Sequence, residues 1–207
     1  IKERAMKTYQ DLLEVRDTDT DRMDFIRKAI RDHESSDLFR TAVIAYEYDK
    51  HRNVTISNYR KLLYTMSGKA VPDNYSSNWK VASGFFNRFV TQQVQFLLGN
   101  GVTWYNKETN DALGNDFDIM LQQAARDALV GAVSFGFFNF DHLEVFPVLQ
   151  YVPLFDEENS ALRAGIRYWQ IDRKRPLRAT FYEEDGYTEY IWRKSREIEI
   201  GRAVQQE

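Results

Sequence analysis

The chain has 207 residues and a formal charge of −3, contains no cysteine, and is 43% hydrophobic and 14% aromatic. The aromatic content favours a folded chain with a substantial core over a disordered one. The lack of cysteine excludes disulfides and thiolate metal ligands. The mildly acidic chain has no overall positive charge to attract nucleic acid. The sequence contains no run of about 18 apolar residues, so no membrane span is predicted.

Apolar residues at helical spacing predict three amphipathic helices in the N-terminal part of the chain. The residues expected to face the core are Ala5, Tyr9, Leu12 and Leu13, then Met23, Ile26 and Ile30, then Phe39, Ala42, Val43 and Tyr46. Ser35 or Ser36 is expected to cap the third helix, with Asp37 in its first turn, where a carboxylate suits the positive end of the helix dipole. Residues 66–77 combine Gly, Pro, Asp, Asn and Ser, which predicts a loop.

The chain is organised around a helix predicted over residues 78–98, which is expected to end at residues 99–101 and to lead into a short strand at 102–104. Its expected buried face is Ala82, Phe86, Phe89, Val90, Val94 and Leu97. The opposite face carries a single charge and consists of Asn87, Arg88, Thr91, Gln92 and Gln95, with Gly84. Because a helix face in open water usually carries more Lys and Glu, this polar face is expected to contact a second subunit.

A further helix is predicted from Asn115 or Asp116 to Gly131, after which the hydrophobic period changes from 3.6 to 2. The expected core stripe of this helix is Phe117, Met120, Leu121, Ala124, Ala125, Ala128 and Leu129. Strands are expected over residues 132–140, 143–146, 161–171, 177–183 and 187–193, with a hairpin turn at Asp185-Gly186. The predicted class is α+β, with N-terminal helices followed by a mainly antiparallel sheet. We divide the chain into an N-terminal helical region, 1–77, and an α+β domain, 78–207.

Four patterns with catalytic or metal-binding precedents fail on spacing. Asp17, Asp19 and Asp21 resemble the start of a calcium loop, but Arg22 and Lys28 stand where Gly and Glu are required, so a capping turn is the better interpretation. Residues 131–136 resemble a nucleophile elbow, but they are one residue too long and lead from helix to strand. The three histidines have no metal-ligand spacing, and residues 67–69 lack the upstream glycine of a phosphate loop. The sequence therefore predicts no catalytic residue, no metal site and no cofactor.

A single basic cluster is formed by Arg173, Lys174, Arg175 and Arg178. It is a candidate for contact with a nucleic-acid backbone, although a solvated connection between two strands gives the same pattern.

Several segments, taken in order, resemble the portal proteins of tailed bacteriophages. They are AYEYDKHRNVTISNYRK, the helix with the pair Phe85-Phe86 and the closing LLGNGV, the segment ALVGAVSFGFFNFD, the segment FPVLQYVPLFDEENSALRAGIRYW, and the aromatic strands around Phe181-Tyr182 and residues 187–192. The likeness extends over most of the chain after about residue 25 and depends on the order and spacing of these motifs.

The resemblance implies a wing-like α+β domain of a structural protein rather than an enzyme. Portal subunits form a ring, commonly a dodecamer, at one capsid vertex of the virion after assembly in the host cytoplasm. Viral double-stranded DNA passes through this ring, which binds the terminase, the major capsid protein and the head-to-tail adaptor. The stem, clip and crown regions that follow such a wing are expected to be absent from this sequence.

A second interpretation is a stand-alone α+β scaffold or adaptor module that shares only the pattern. An enzyme ranks third, because no nucleophile–base pair, metal cluster or phosphate loop is found in the sequence.

Overall fold

The computed structural model describes residues 6–16, 18–114, 116–139, 142–172, 174–184, 186–192 and 199–204. The helices are α1 (Tyr9–Leu13), α2 (Asp19–Glu34), α3 (Asp37–Asp49), α4 (Val54–Asn58), α5 (Phe85–Leu98), α6 (Lys107–Ala112) and α7 (Phe117–Gly131). The strands are β1 (Leu62–Tyr64), β2 (Ala70–Pro72), β3 (Ser134–Asn139), β4 (His142–Pro147), β5 (Tyr151–Phe155), β6 (Leu162–Trp169), β7 (Leu177–Glu183), β8 (Gly186–Trp192) and β9 (Glu199–Val204). A 3₁₀ turn, Val148–Gln150, joins β4 to β5.

The strands within the described ranges form three antiparallel sheets, and this confirms the predicted α+β class. Two are hairpins, β1–β2 and β3–β4, and the third has five strands in the order β5-β6-β7-β8-β9. Apart from the β1–β2 hairpin, the described strands all follow Gly131, where the hydrophobic period changes. The predicted β7–β8 hairpin is confirmed by the pairing of Glu183 with Gly186, while Asp185 lies outside the described residues.

Side-chain caps explain where the early helices begin. Thr18 Oγ1 accepts from Asp21 N at 3.3 Å at the start of α2, and Asp19 and Asp21 lie in its first turn. Ser36 caps α3 by accepting from Phe39 N at 3.2 Å. Both contacts satisfy a backbone donor that the helix leaves unpaired. The described part of the aspartate-rich segment is therefore a helix cap, as predicted; Asp17 lies outside the described residues.

The larger core lies between α2 and the five-stranded sheet. It joins Leu12, Met23, Phe25, Ile26, Ala29 and Ile30 to Val152, Leu154, Ala164, Ile166, Tyr168, Ala179, Phe181 and Tyr190. Burial of each large apolar side chain contributes about 1.5–3 kcal/mol. This core therefore contains residues from both of the predicted regions, 1–77 and 78–207.

A histidine fixes the end of α2 to the turn before β5. His33 is 1% exposed, and its Nε2 lies 2.8 Å from the Val148 carbonyl oxygen. Phe39 and Tyr168 pack edge-on against the ring. Burial lowers the pKa of His33, so the ring is neutral at pH 7 and Nε2 is the donor to Val148.

The smaller core joins α5 and α7 through Val90, Val94 and Val130, with Ala45 and Tyr46 of α3, Phe86 and Ala125 packed against it. Gly131 permits close packing here, because an added Cβ would lie 3.0 Å from Val148 Cγ1 and 3.1 Å from the Tyr46 ring. Gly131 is the last helical residue, and the left-handed cap is Ala132, at φ 71°. The expected buried stripe of α7 is wrong in part, since Leu129 is exposed and the buried residues are Asp127, Val130 and Gly131.

Several predicted boundaries and faces also differ from the structure. The central helix begins at Phe85 rather than at residue 78, residues 102–104 form no strand, and β2 lies inside the predicted 66–77 loop. In α3 only Ala42 of the expected face is buried, and Val43 is exposed. The strand β5 was not predicted, because its residues 151–154 are all buried and so lack the alternation that identifies a half-exposed strand.

Candidate subunit interface

The position of α5 is set at both ends by glycines. An added Cβ on Gly84, the N-cap, would come within 2.9 Å of the His51 imidazole. At the other end Gly101 has φ +72°, and its N–H donates to the Leu98 carbonyl oxygen at 3.0 Å. The left-handed residue expected at 99–101 is therefore Gly101, and the chain turns back toward α7.

A polar network holds the inner face of α5 against α3 and α7. Asn87 Nδ2 donates to the Asp49 carboxylate at 3.0 Å and to the Asp49 carbonyl oxygen at 3.2 Å. The same carboxylate accepts from the Arg126 guanidinium at 2.6 Å, and Arg126 also donates to Thr91 Oγ1 at 3.2 Å. Thr91 in turn donates to the Asn87 carbonyl oxygen at 2.8 Å. Side chains of three helices thus form one connected set.

A second polar contact in the same region is more deeply buried. Asp127 is 7% exposed and accepts from the Tyr46 hydroxyl at 3.1 Å and from Gln123 Nε2 at 2.9 Å. Burial, and then the neighbouring Asp127 charge, raise the pKa of Tyr46. The phenol therefore remains protonated and donates to the carboxylate at neutral pH. These contacts fix the relative position of α3 and α7, on which α5 rests.

The five residues predicted to contact another subunit separate into two groups. Asn87 and Thr91 are half-buried and bonded within the chain, so their lack of charge is explained by α3 and α7. Arg88, Gln92 and Gln95 are exposed, and their contact with another subunit stays a prediction.

The outer face of α5 is aromatic, which the sequence pattern did not predict. Phe85 and Phe89 are each 60% exposed and stack with their ring centroids 6.5 Å apart. Phe96 is 89% exposed and Leu97 is 66% exposed. Of the expected apolar face, Val90 and Val94 are buried, whereas Phe89 and Leu97 point to the opposite side.

This outer face is a shallow groove lined by Phe89, Gln92, Gln93, Phe96 and Leu97. Exposed apolar residues are ordinary when isolated, but neighbouring large ones mark a surface that binds another molecule. Aromatic side chains with amides between them match the composition of protein interfaces, where charge is depleted. We call Phe85, Phe89, Gln92, Phe96 and Leu97 the aromatic face.

The basic cluster is placed at the connection between β6 and β7. Lys174 and Arg175 are exposed, and the turn is closed by Arg175 N donating to Asp172 O at 2.9 Å. Arg178 lies in β7, half-buried, opposite Trp169 of β6. Arg173 lies outside the described residues. The described members therefore occupy a strand connection and the start of the strand that follows it.

Within the described ranges, no group of three or more His, Asp or Glu side chains is arranged to hold a metal ion. Every helix in the part of the chain that the structure describes is too short or too polar to cross a bilayer.

Comparison of the chain with models of known protein families found no match, and comparison with curated proteins found none either.

Proposed function

We propose that this chain is a subunit of a bacteriophage portal ring, a structural protein with no reaction of its own. The proposal combines the ordered sequence motifs with one structural observation. The aromatic face leaves three phenylalanines in water on a helix whose inner face is already anchored to α3 and α7. A monomer gains nothing from this exposure, whereas a subunit buries it on assembly.

In this proposal α5 supplies one of the two different patches that a closed ring needs. Head-to-tail contacts generate a ring when the rotation between neighbours closes. The assembled ring would stand at a capsid vertex of the virion, would pass double-stranded DNA, and would bind terminase, capsid protein and a head-to-tail adaptor. We also propose that the α+β domain corresponds to the wing of a portal subunit.

The experiment places charge on the exposed side of α5. Arg88→Glu with Gln92→Glu should leave the circular dichroism spectrum unchanged, because both side chains are exposed. It should shift the protein from ring to monomer in analytical ultracentrifugation, since carboxylates at a contact are desolvated at about 1–3 kcal/mol or more each. Rings of normal mass and stability in this double variant would remove α5 from the interface.

The second candidate function is a scaffold or adaptor module. The aromatic face favours it if that face binds a different protein rather than another copy of this chain. Such a module would remain monomeric when pure, at concentrations where a portal subunit assembles. Ultracentrifugation of the unaltered protein therefore separates the two functions.

A further inference from the structure

Residues 54–84 form an arm without a core. The arm comprises α4, the β1–β2 hairpin and the extended segment before α5, and we call it the apolar arm. None of these residues is buried. Its exposed large apolar residues are Val54, Tyr59, Leu62, Leu63, Tyr64, Met66, Val71, Tyr75, Trp79 and Val81. Trp79 is 89% exposed and Val81 78% exposed. This apolar exposure exceeds what scattered surface residues produce.

Polar contacts nevertheless give the apolar arm a defined shape. Leu63 pairs with Val71 across the hairpin. The turn is closed by Thr65 N donating to Lys69 O at 3.0 Å, with Gly68 at φ +77°. Beyond β2 the Asp73 carboxylate accepts from the backbone N–H groups of Tyr75 and Ser76. The arm is folded by its backbone while its apolar side chains remain uncovered, and an isolated hairpin of this kind is marginal in water.

The charge of the arm indicates what covers it. Residues 54–84 contain four Lys and Arg residues and one Asp, which gives +3, whereas the rest of this −3 chain carries −6. A surface that complements the arm is apolar at its centre and acidic at its rim. A second copy of this chain offers such a surface, because its charge outside the arm has the opposite sign.

An acidic rim around exposed apolar residues occurs at one end of the five-stranded sheet. Phe155 and Leu162 pair across β5 and β6 and are 41% and 47% exposed. The turns beside them carry Glu157, Glu158 and Glu184, which are exposed, and the half-buried Asp156. Arg163 lies among these carboxylates and pairs with Glu184 at 2.9 Å and with Asp156 at 3.6 Å, so this end of the sheet keeps an excess of negative charge. We call Phe155, Leu162, Glu157, Glu158 and Glu184 the acidic sheet end.

We propose that the apolar arm of one copy docks on the acidic sheet end of the next copy. The donor and acceptor surfaces differ, so the contact is head-to-tail, and copies can add in sequence. Leu63 and Val71 would cover Phe155 and Leu162, while arm cations would face the carboxylates around them. The inference rests on the proposed function, because it assigns the partner of a further surface in the same assembly.

A nucleic acid is the other class of molecule that an aromatic, cationic arm fits, through stacking and phosphate contacts. The arm's aliphatic residues Leu62, Leu63 and Val71 favour protein instead, because they have no stacking surface for a base. Nucleic-acid binding is therefore an outcome that the experiment must detect.

The test reverses charge on each surface in turn and measures self-association of the purified protein by sedimentation velocity. Arg60→Glu with Lys69→Glu alters the arm, and Glu158→Lys with Glu184→Lys alters the sheet end. Each double variant alone should self-associate with a Kd raised about tenfold or more, because like charges then face each other. An equimolar mixture should recover heterologous association, since the acidic arm of one variant then faces the basic sheet end of the other, and the unaltered arm still fits the unaltered sheet end. Lys174→Glu with Arg175→Glu makes the same charge change elsewhere and should leave the Kd unchanged.

Two results would overturn the inference. One is a wild-type protein that remains monomeric. The other is a wild-type Kd for self-association of the arm variant; loss of binding to a DNA duplex in that variant, measured by fluorescence anisotropy, would then assign the arm to nucleic acid. If arm-dependent association gives open chains or dimers, the inference stands and the ring proposal fails. If closed rings form with the arm variant at the wild-type Kd, the ring proposal stands and the inference fails.

Discussion

The Asn87 amide lies 3.0 Å from the Asp49 carboxylate, across a sequence separation of 38 residues. The same carboxylate accepts from Arg126 of α7, so Asp49 joins α5 and α7 to the end of α3. This contact determines which side of α5 faces inward, and it leaves the phenylalanines on the outer side. The candidate interface therefore depends on a polar network inside the chain.

Removal of the Asp49 side chain should lower the unfolding free energy more than removal of a surface ion pair. Asp49→Ala removes the carboxylate that accepts from both Arg126 and Asn87, which keep only their contacts with Thr91 and with the carbonyl oxygen of residue 49. We therefore expect the unfolding free energy to fall by about 1–3 kcal/mol. The Asp49 side chain is 15% exposed, whereas Asp37 and Arg40 in a pair on α3 are 70% and 61% exposed. Arg40→Ala should cost about 1 kcal/mol or less. Urea denaturation measures both, and equal losses would contradict a structural role for the network.

The two faces of α5 should respond differently to substitution. Asn87→Ala and Thr91→Ala should each lower unfolding free energy by about 0.5–1.5 kcal/mol, because each loses a hydrogen bond within the chain. Phe89→Ser and Phe96→Ser should leave unfolding free energy within about 0.5 kcal/mol of the wild-type value, since both rings are largely in water. Chemical denaturation of the dissociated protein provides the comparison. A large loss with Phe96→Ser would show that the aromatic face packs within the chain.

Stability should fall as the pH is lowered from 7.5 to 5.5. Burial lowers the folded-state pKa of His33 below its ordinary value of 6.5, so the unfolded state binds a proton first. The contribution of neutral His33 is fully present above about pH 6.5 and is lost as the pH falls below it, with a slope of up to about 1.4 kcal/mol per pH unit. Urea denaturation at several pH values measures this slope. His33→Phe should flatten it, and an unchanged slope in that variant would assign the pH dependence to another group.

Gly165 should be intolerant of alanine. An added Cβ would lie 1.7 Å from the Tyr151 hydroxyl oxygen, which packs across β6 from β5. Because Tyr151 is itself buried, its ring must move to accommodate the Cβ. We therefore expect Gly165→Ala to lower the unfolding free energy by about 1–3 kcal/mol and to alter the near-ultraviolet circular dichroism spectrum. Gly136→Ala is the matched control, since the atom it meets is the movable Leu143 Cδ1 at 3.2 Å. Equal thermal stability of the two variants would contradict this packing.

Local signals predicted much of the fold. The capped start of α2 and its stripe of Met23, Ile26 and Ile30 were recovered, because caps and helical spacing are encoded by neighbouring residues. The bounds of β7 were also predicted, since residues on both sides of it signal turns. By contrast β5 contains Pro153 and a run of buried residues, so it carries neither the alternation nor the composition of an ordinary strand.

The candidate site was predicted only in part, for a physical reason. Helical spacing groups Asn87 and Thr91 with Arg88, Gln92 and Gln95, but it contains no information about where Asp49 and Arg126 lie. The tertiary contacts of Asn87 and Thr91 turn that side of α5 inward. Helical spacing predicts that the apolar Phe89 and Leu97 face the core, whereas the structure leaves them in water. An amphipathic pattern cannot separate a core face from an interface, since both bury apolar residues.

The most direct test of the assembly proposal is native mass spectrometry of the purified protein across a concentration series, with electron microscopy of the largest species. A portal ring subunit should give one dominant species, whose mass is an integral multiple of the subunit mass, and images with closed rotational symmetry. Its population should decrease in the Arg88→Glu, Gln92→Glu variant. A protein that remains monomeric at all concentrations, or that forms open chains of indefinite length, would contradict the account.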